Sequence, residues 1–166
     1  MALPSNSYKY VAGLKELHDK LKALGSPRVA DNILRAGSRA GAVYIKKVAQ
    51  QKLDSAYPGH KRALGVEHSK HLSTRYSHVW KIGPLEKHWQ LIFLEYGVPP
   101  HDINPKFKKA LHLGVSGGGE DLFYSHVSHP GLPRVAFLRK AAEENPNNAA
   151  EAMKQKIWAR IQKEAK

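Results

Sequence analysis

Between residues 8 and 24, apolar positions recur at steps of three and four: Val11, Leu14, Leu17, Leu21 and Leu24. That spacing puts them on one face of a helix, with Gly25 placed as its C-terminal stop. Ser26-Pro27 then supplies an N-cap followed by proline at the first helical position, which opens a second helix. This helix is predicted to run to about residue 53, with Val29, Ile33, Ala36, Ala40, Val43, Tyr44 and Val48 inward. Ala36, Gly37, Ala40 and Gly41 leave a shallow strip along it. A glycine inside a helix costs about 0.5–1 kcal/mol relative to alanine, so the strip points to close approach by another element.

Tyr57-Pro58-Gly59 ends this helical half, and residues 60–71 (HKRALGVEHSKH) carry no period, so they are expected to form a mobile loop. From Leu72 the period becomes two. Thr74, Tyr76, His78, Trp80 and Ile82 fall on the same strand face as Leu72, until Gly83-Pro84 stops the strand. "EKHWQLIFLEYG" is apolar at its centre and is expected to be a short buried helix closed by Gly97. After Pro99-Pro100 comes a hairpin. Leu111, Leu113 and Val115 alternate on one strand, "SGGGED" turns, and Leu122, Tyr124 and His126 alternate on the other.

His129-Pro130-Gly131 then makes a turn, Pro133 stands where a helix can begin, and Phe137 and Leu138 anchor that helix in the core. Asn145-Pro146 breaks the chain. A last helix follows from about residue 148, capped by Asn147 or Asn148, with Met153, Ile157 and Ile161 on one face and Trp158 flanking them. The order defines an α+β fold: a small, mostly antiparallel sheet packed against long N-terminal helices, with C-terminal helices closing the chain. We expect a single domain over 1–166: a helical half at 8–54, a sheet region at 72–128 and C-terminal helices at 133–165.

Length supports that expectation, because a chain of about 150 residues buries roughly 68–70% of its unfolded surface without staples. The chain has no cysteine, which removes disulfides, thiolate nucleophiles and cysteine-ligated zinc. No secretory apolar segment stands at the N-terminus, and no apolar run nears the 18 or more residues of a membrane span. The expectation is a soluble protein that stays where it is made. Charge adds the strongest bulk signal. Lys+Arg total 27 against 14 Asp+Glu, a formal net charge of +13; such a balance suggests a polyanionic neighbour, most often nucleic acid, and on charge alone fits a solvated basic surface equally well.

Candidate chemistry is sparse. Gly114-Val115-Ser116-Gly117-Gly118 matches G-x-S-x-G, but a nucleophile elbow needs a strand-to-helix turn, and this serine lies in a glycine-rich hairpin tip. His68-x-x-His71 and His126-x-x-His129 have metal-compatible spacing without a helix or a carboxylate in register, so no metal or cofactor is expected. Glu95, at the end of an apolar segment, is expected to take a salt bridge or a backbone hydrogen bond. Tyr76, Trp80, Trp89, Phe93 and Phe137 stand at core-periodic positions, not as stacking platforms among basic residues. Contact with nucleic acid would then be electrostatic and sequence-independent.

"FLEYG" (93–97), the turn His101-Asp102-Ile103-x-Pro105-Lys106, "KALHL" (109–113) and "HPGLPRVAFLRKA" (129–141) occur in one order. Together they resemble the neck and tail-completion proteins of long-tailed bacteriophages, the group that includes the lambda-type minor tail protein Z. The likeness covers residues 70–141 by motif and the first half by architecture. The chain departs from the family pattern at Val98, where threonine is usual, and at Ala136 and Lys140, where proline is frequent.

The resemblance implies a non-enzymatic virion structural protein, made in the bacterial host cytoplasm. Its copies would form a homo-oligomeric, six-fold ring at the head–tail junction, against other neck and tail proteins and around double-stranded DNA. It also implies structural roles for Glu95, Gly97, His129, Pro130, Gly131, Phe137 and Leu138. Arg28, Arg35, Arg39, Lys46, Lys47, Lys61 and Arg62 are candidates for the DNA channel or acidic neighbours, and Arg134 and Arg139 for subunit contact. The alternative is a stand-alone basic protein that binds DNA without sequence preference.

Overall fold

The computed structural model describes residues 25–106, 109–113 and 122–164. The predicted first helix and the hairpin tip with Ser116 lie outside them. The fold is α+β and is organised around one long helix, α1 (Pro27–Ala56). The Ser26 hydroxyl accepts the Arg28 N–H at 3.2 Å and Pro27 occupies the first turn, as the Ser-Pro pair predicts. The strands pair as three separate antiparallel ribbons. β1 (Leu64–His68) pairs with β2 (Trp80–Pro84), β3 (His101–Ile103) with β6 (Val127–His129), and β4 (Leu111–Leu113) with β5 (Leu122–Tyr124). A single 3-10 turn (Glu86–His88) leads to the short α2 (Leu91–Tyr96), and α3 (Phe137–Glu144) and α4 (Pro146–Glu164) close the chain.

Two apolar clusters sit on α1. Ala30, Ile33 and Leu34 in its first half meet Ile157 of α4. In its second half Ala49 and Leu53 pack with Ala63, Leu64, Leu91, Leu94, Phe137 and Ala141. The small-residue strip does what its composition predicts. A side chain at Gly37 would collide with Ile157 Cγ1, and one at Gly41 would stand 2.6 Å from Met153 Cγ. Helix α4 therefore lies close along α1 because two glycines let it. The inward stripe itself is rotated slightly from the predicted one: Val43 is exposed, and Ala30, Leu34 and Ala49 are buried instead.

Several expected boundaries are corrected. The stretch 60–71 is not a mobile loop: it contains β1, with Leu64 opposite Pro84 and His68 opposite Trp80. Its order comes from contacts distant in sequence. The Gln50 side chain donates to the His60 carbonyl (2.8 Å) and accepts the Leu64 N–H (3.3 Å), and Ala63 and Leu64 are buried in the core. The strand predicted from Leu72 begins only at Trp80, and it runs through Gly83-Pro84 instead of stopping before it. Before Trp80, serine and threonine hydrogen bonds compete with a ladder. The Ser73 hydroxyl donates to the Ser69 carbonyl (2.6 Å) and accepts the Val79 N–H (2.9 Å), and Thr74 bridges Ser77.

The C-terminal helices also start elsewhere. Helix α3 begins at Phe137, not Pro133, because Ala136 takes a left-handed conformation (φ 53°, ψ 44°) that re-aims the chain. Helix α4 begins at Pro146, with Asn145 as the junction in place of Asn147 or Asn148. The aromatic pattern misled as well. Of the five positions read as core-periodic, Phe137 is fully buried, whereas Tyr76, Trp89 and Phe93 are exposed and Trp80 is half-buried. Helix α2 is buried on one side only. Leu91, Leu94 and Glu95 face the core, and Ile92, Phe93 and Tyr96 continue an exposed apolar face begun by Leu85 and Trp89.

Candidate functional site

Residues 28, 35 and 39 lie seven and four positions apart, so α1 carries their arginines along one side. The chain after β1 folds back over this side, and two adjoining clefts result. The first, about 560 Å³, lies between the start of α1 and the 69–79 loop; Arg28, Asp31, Arg35, His68, Lys70, Ser73, Thr74, Arg75 and His78 line it. The second, about 820 Å³, runs on between α1, the β1–β2 ribbon and α4. Its floor is Ala36, Ala40, Val43, Val66 and Trp80, and Arg35, Arg39, Lys156 and Arg160 supply its charge. Arg35 and His68 belong to both, so the two form one continuous basic track. Asp31 is the one carboxylate among its lining residues.

Between the clefts stands a ring cluster. The His68 imidazole packs against Trp80 (centroids 4.8 Å apart) and His78 (5.5 Å). The predicted alternation is correct at this point, since His78 and Trp80, two residues apart, both face His68. The Trp80 indole N–H donates to the Ser38 hydroxyl (2.9 Å), which itself donates to the Arg35 carbonyl, so the β ribbon is pinned to α1. The His78 side chain is only 5% exposed, with Nε2 3.4 Å from an Asp31 carboxylate oxygen. Burial pushes its pKa below the usual 6.5, with His68 and Arg35 adding to the effect and Asp31 opposing it. Neither His78 nitrogen has a hydrogen-bond partner, nor has His68 Nδ1.

Ser73 Oγ lies 3.1 Å from His68 Nε2, the reach of a nucleophile–base pair. Its hydroxyl, however, is committed to the Ser69 carbonyl and the Val79 N–H, and no third group orients His68 from Nδ1. The pair is a clasp for the loop. Among the described residues no group of three or more His, Asp or Glu is arranged to hold a metal ion. The second histidine pair is accounted for locally. His126 Nε2 lies 3.3 Å from the Asp102 carboxylate, and His129 Nδ1 accepts the Gly131 N–H at 3.0 Å. Ser128 and His126 hold the Asp102 carboxyl below its usual range.

Of the cationic residues proposed from sequence, the track gathers Arg28, Arg35 and Arg39 and leaves out Lys46, Lys47, Lys61, Arg62, Arg134 and Arg139. Lys70, Arg75, Lys156 and Arg160 were missed. The four-residue spacing of Lys156 and Arg160 on α4 was the only signal for them, and it does not say what they face.

The motif residues meet in a second place. The Glu95 carboxylate accepts the N–H groups of Leu138 (2.8 Å) and Arg139 (3.0 Å), a backbone role of the kind predicted. Val98 and Leu132 exchange backbone hydrogen bonds, and the Arg134 backbone lies across Gly97 (φ 77°). Gly131 (φ 84°) is pressed against the Val98 carbonyl and the Pro99-Pro100 backbone, and Pro130 precedes it at the exposed end of β6. The Arg134 and Arg139 side chains are exposed.

No family model matches the chain, and no curated protein or solved structure shows significant similarity to it.

Proposed function

We propose that the chain is a bacteriophage virion structural protein of the neck and tail-completion type. Its copies form a ring, six-fold to match a tail, at the head–tail junction, where they join tail to head around the DNA path. The observation that carries this reading is the contact between the resemblance motifs. Glu95 and Gly97 of "FLEYG" bind or abut the backbone of "HPGLPRVAFLRKA", so two of the motifs that carry the resemblance meet in one packed unit, which supports reading them together. Two surfaces agree with it. Leu85, Trp89, Ile92, Phe93 and Tyr96 are 42–67% exposed on one short segment, the kind of apolar patch that neighbouring subunits bury. The basic track suits proximity to DNA.

The test is the particle itself. The chain is expected in purified virions as a ring between head and tail, and its loss is expected to leave filled heads and tails unjoined. Infectious particles that form without it overturn the proposal. The basic track also favours a second reading, a stand-alone sequence-independent DNA-binding protein. That reading expects a monomer in solution with steep salt-dependent duplex binding, and ring formation with weak binding argues against it.

A further inference from the structure

The first cleft has an imbalance that the fold does not explain. Arg28 and Arg35 from α1 and Lys70 and Arg75 from the 69–79 loop surround one cavity with a single carboxylate, Asp31. Among the described residues none of these four cations is in an ion pair; the pairs present are Lys52–Glu144, His78–Asp31, His126–Asp102 and Lys154–Glu151. Bringing four unpaired cations to one cavity is electrostatically unfavourable unless an anion offsets it. A second observation sharpens this. The buried His78 ring, whose side chain is 5% exposed, stands with Nε2 3.4 Å from the Asp31 carboxylate, so the cleft's one carboxylate already faces a ring from the cleft wall. Uncompensated cations around such a cleft describe a site whose ligand is an anion.

We propose that this cleft is a phosphate-binding site, in which Arg28, Arg35, Lys70 and Arg75 hold the oxygens of a phosphoryl group. Guanidinium forks match the planar pairs of oxygens that a phosphate offers, and lysine adds a point charge. The Thr74 hydroxyl is a further donor on the cleft wall. The cleft, about 560 Å³ and open to solvent, has room for more than the ion alone: a phosphate ester with its organic part, or consecutive phosphates of a nucleic-acid backbone. The neighbouring cleft is cationic as well, through Arg39, Lys156 and Arg160, but its floor, which includes Val43 and Trp80, is apolar. The site does not depend on ring formation, and the two stand or fall separately.

Isothermal titration of the purified full chain with inorganic phosphate, and with a short DNA duplex at several salt concentrations, tests it. The variants are Lys70→Gln with Arg75→Gln, both exposed loop residues, and a control of equal charge change, Lys87→Gln with Lys140→Gln, which lies outside both clefts. Circular dichroism and melting confirm that each remains folded. We expect saturable phosphate binding that the cleft variant weakens at least tenfold and the control less than twofold. If the duplex loses affinity in parallel, with a salt slope lower by about two, the natural ligand is a nucleic-acid backbone. If the duplex responds equally to both variants while phosphate does not, the ligand is a free phosphate ester. The absence of phosphate binding to the unaltered chain, or equal effects of cleft and control variants on both ligands, overturns the proposal.

Discussion

Glu95 caps a helix to which it does not belong: its carboxylate closes on the backbone N–H groups of Leu138 and Arg139, more than forty residues further along the chain. These are the second and third residues of α3, whose own N-cap position is Ala136, with no side chain able to accept. The negative charge stands where the helix dipole favours it. One buried side chain thus fixes where α3 begins and ties it to α2.

Removing that carboxylate leaves two N–H groups short of an acceptor in a partly buried place. Glu95→Ala is expected to lower unfolding free energy by about 2–3 kcal/mol, and Glu95→Gln, which keeps one acceptor, by about 1 kcal/mol. Urea denaturation of the three proteins measures both, and equal losses for the two variants would contradict capping by charge.

The two glycines of α1 are expected to differ. At Gly37 an added methyl meets the branched Ile157 side chain, so Gly37→Ala should cost about 1–3 kcal/mol through overpacking. At Gly41 it meets mainly the flexible Met153 side chain, and alanine's better helix propensity offsets the strain. Gly41→Ala should therefore lie within about 1 kcal/mol of the parent. Thermal melts of both variants decide, and the order Gly41 worse than Gly37 would be wrong for this packing.

Gly131 has no such freedom. Its φ of 84° favours glycine, and a methyl there would stand 2.9 Å from Pro100 N and 3.0 Å from the Pro99 carbonyl carbon, which are backbone atoms that cannot turn aside. Gly131→Ala is expected to cost about 2–4 kcal/mol, strain and overlap together. A melting temperature unchanged from the parent would show that the Val98–Leu132 contact is looser than the geometry implies.

Acid should weaken the fold through His78. Its folded pKa lies below the unfolded 6.5, so between those two values the unfolded chain binds more protons than the native one. Stability contributed by the neutral ring is complete above 6.5 and is lost progressively as pH falls towards the depressed value. The slope of stability against pH in that window is expected to flatten in His78→Gln, as followed by denaturant titration across the range.

Local chemistry accounts for what was legible in the sequence. Ser26-Pro27 set the start of α1, Gly97 closed α2, Leu111 and Leu113 fell opposite Tyr124 and Leu122, and the small residues at 37 and 41 announced a close helix contact. Each signal acts within a few residues, through a cap, a breaker, an alternation or a missing side chain, and survives whatever the rest of the chain does. The α+β class follows from the order of such segments. The remainder depended on partners far away in sequence. Residues 64–68 became a strand because Gln50 and β2 hold them, although their own pattern is that of a loop. Phe137 began a helix because Glu95 waited for its first turn, and Phe93 stayed outside because α2 has only one side to bury. The cationic cleft shows the same division. Arg28 and Arg35 share a helix side that spacing reveals, but their meeting with Lys70, Arg75 and the buried His78 exists only once the chain folds back, since charge convergence is a property of distance in space.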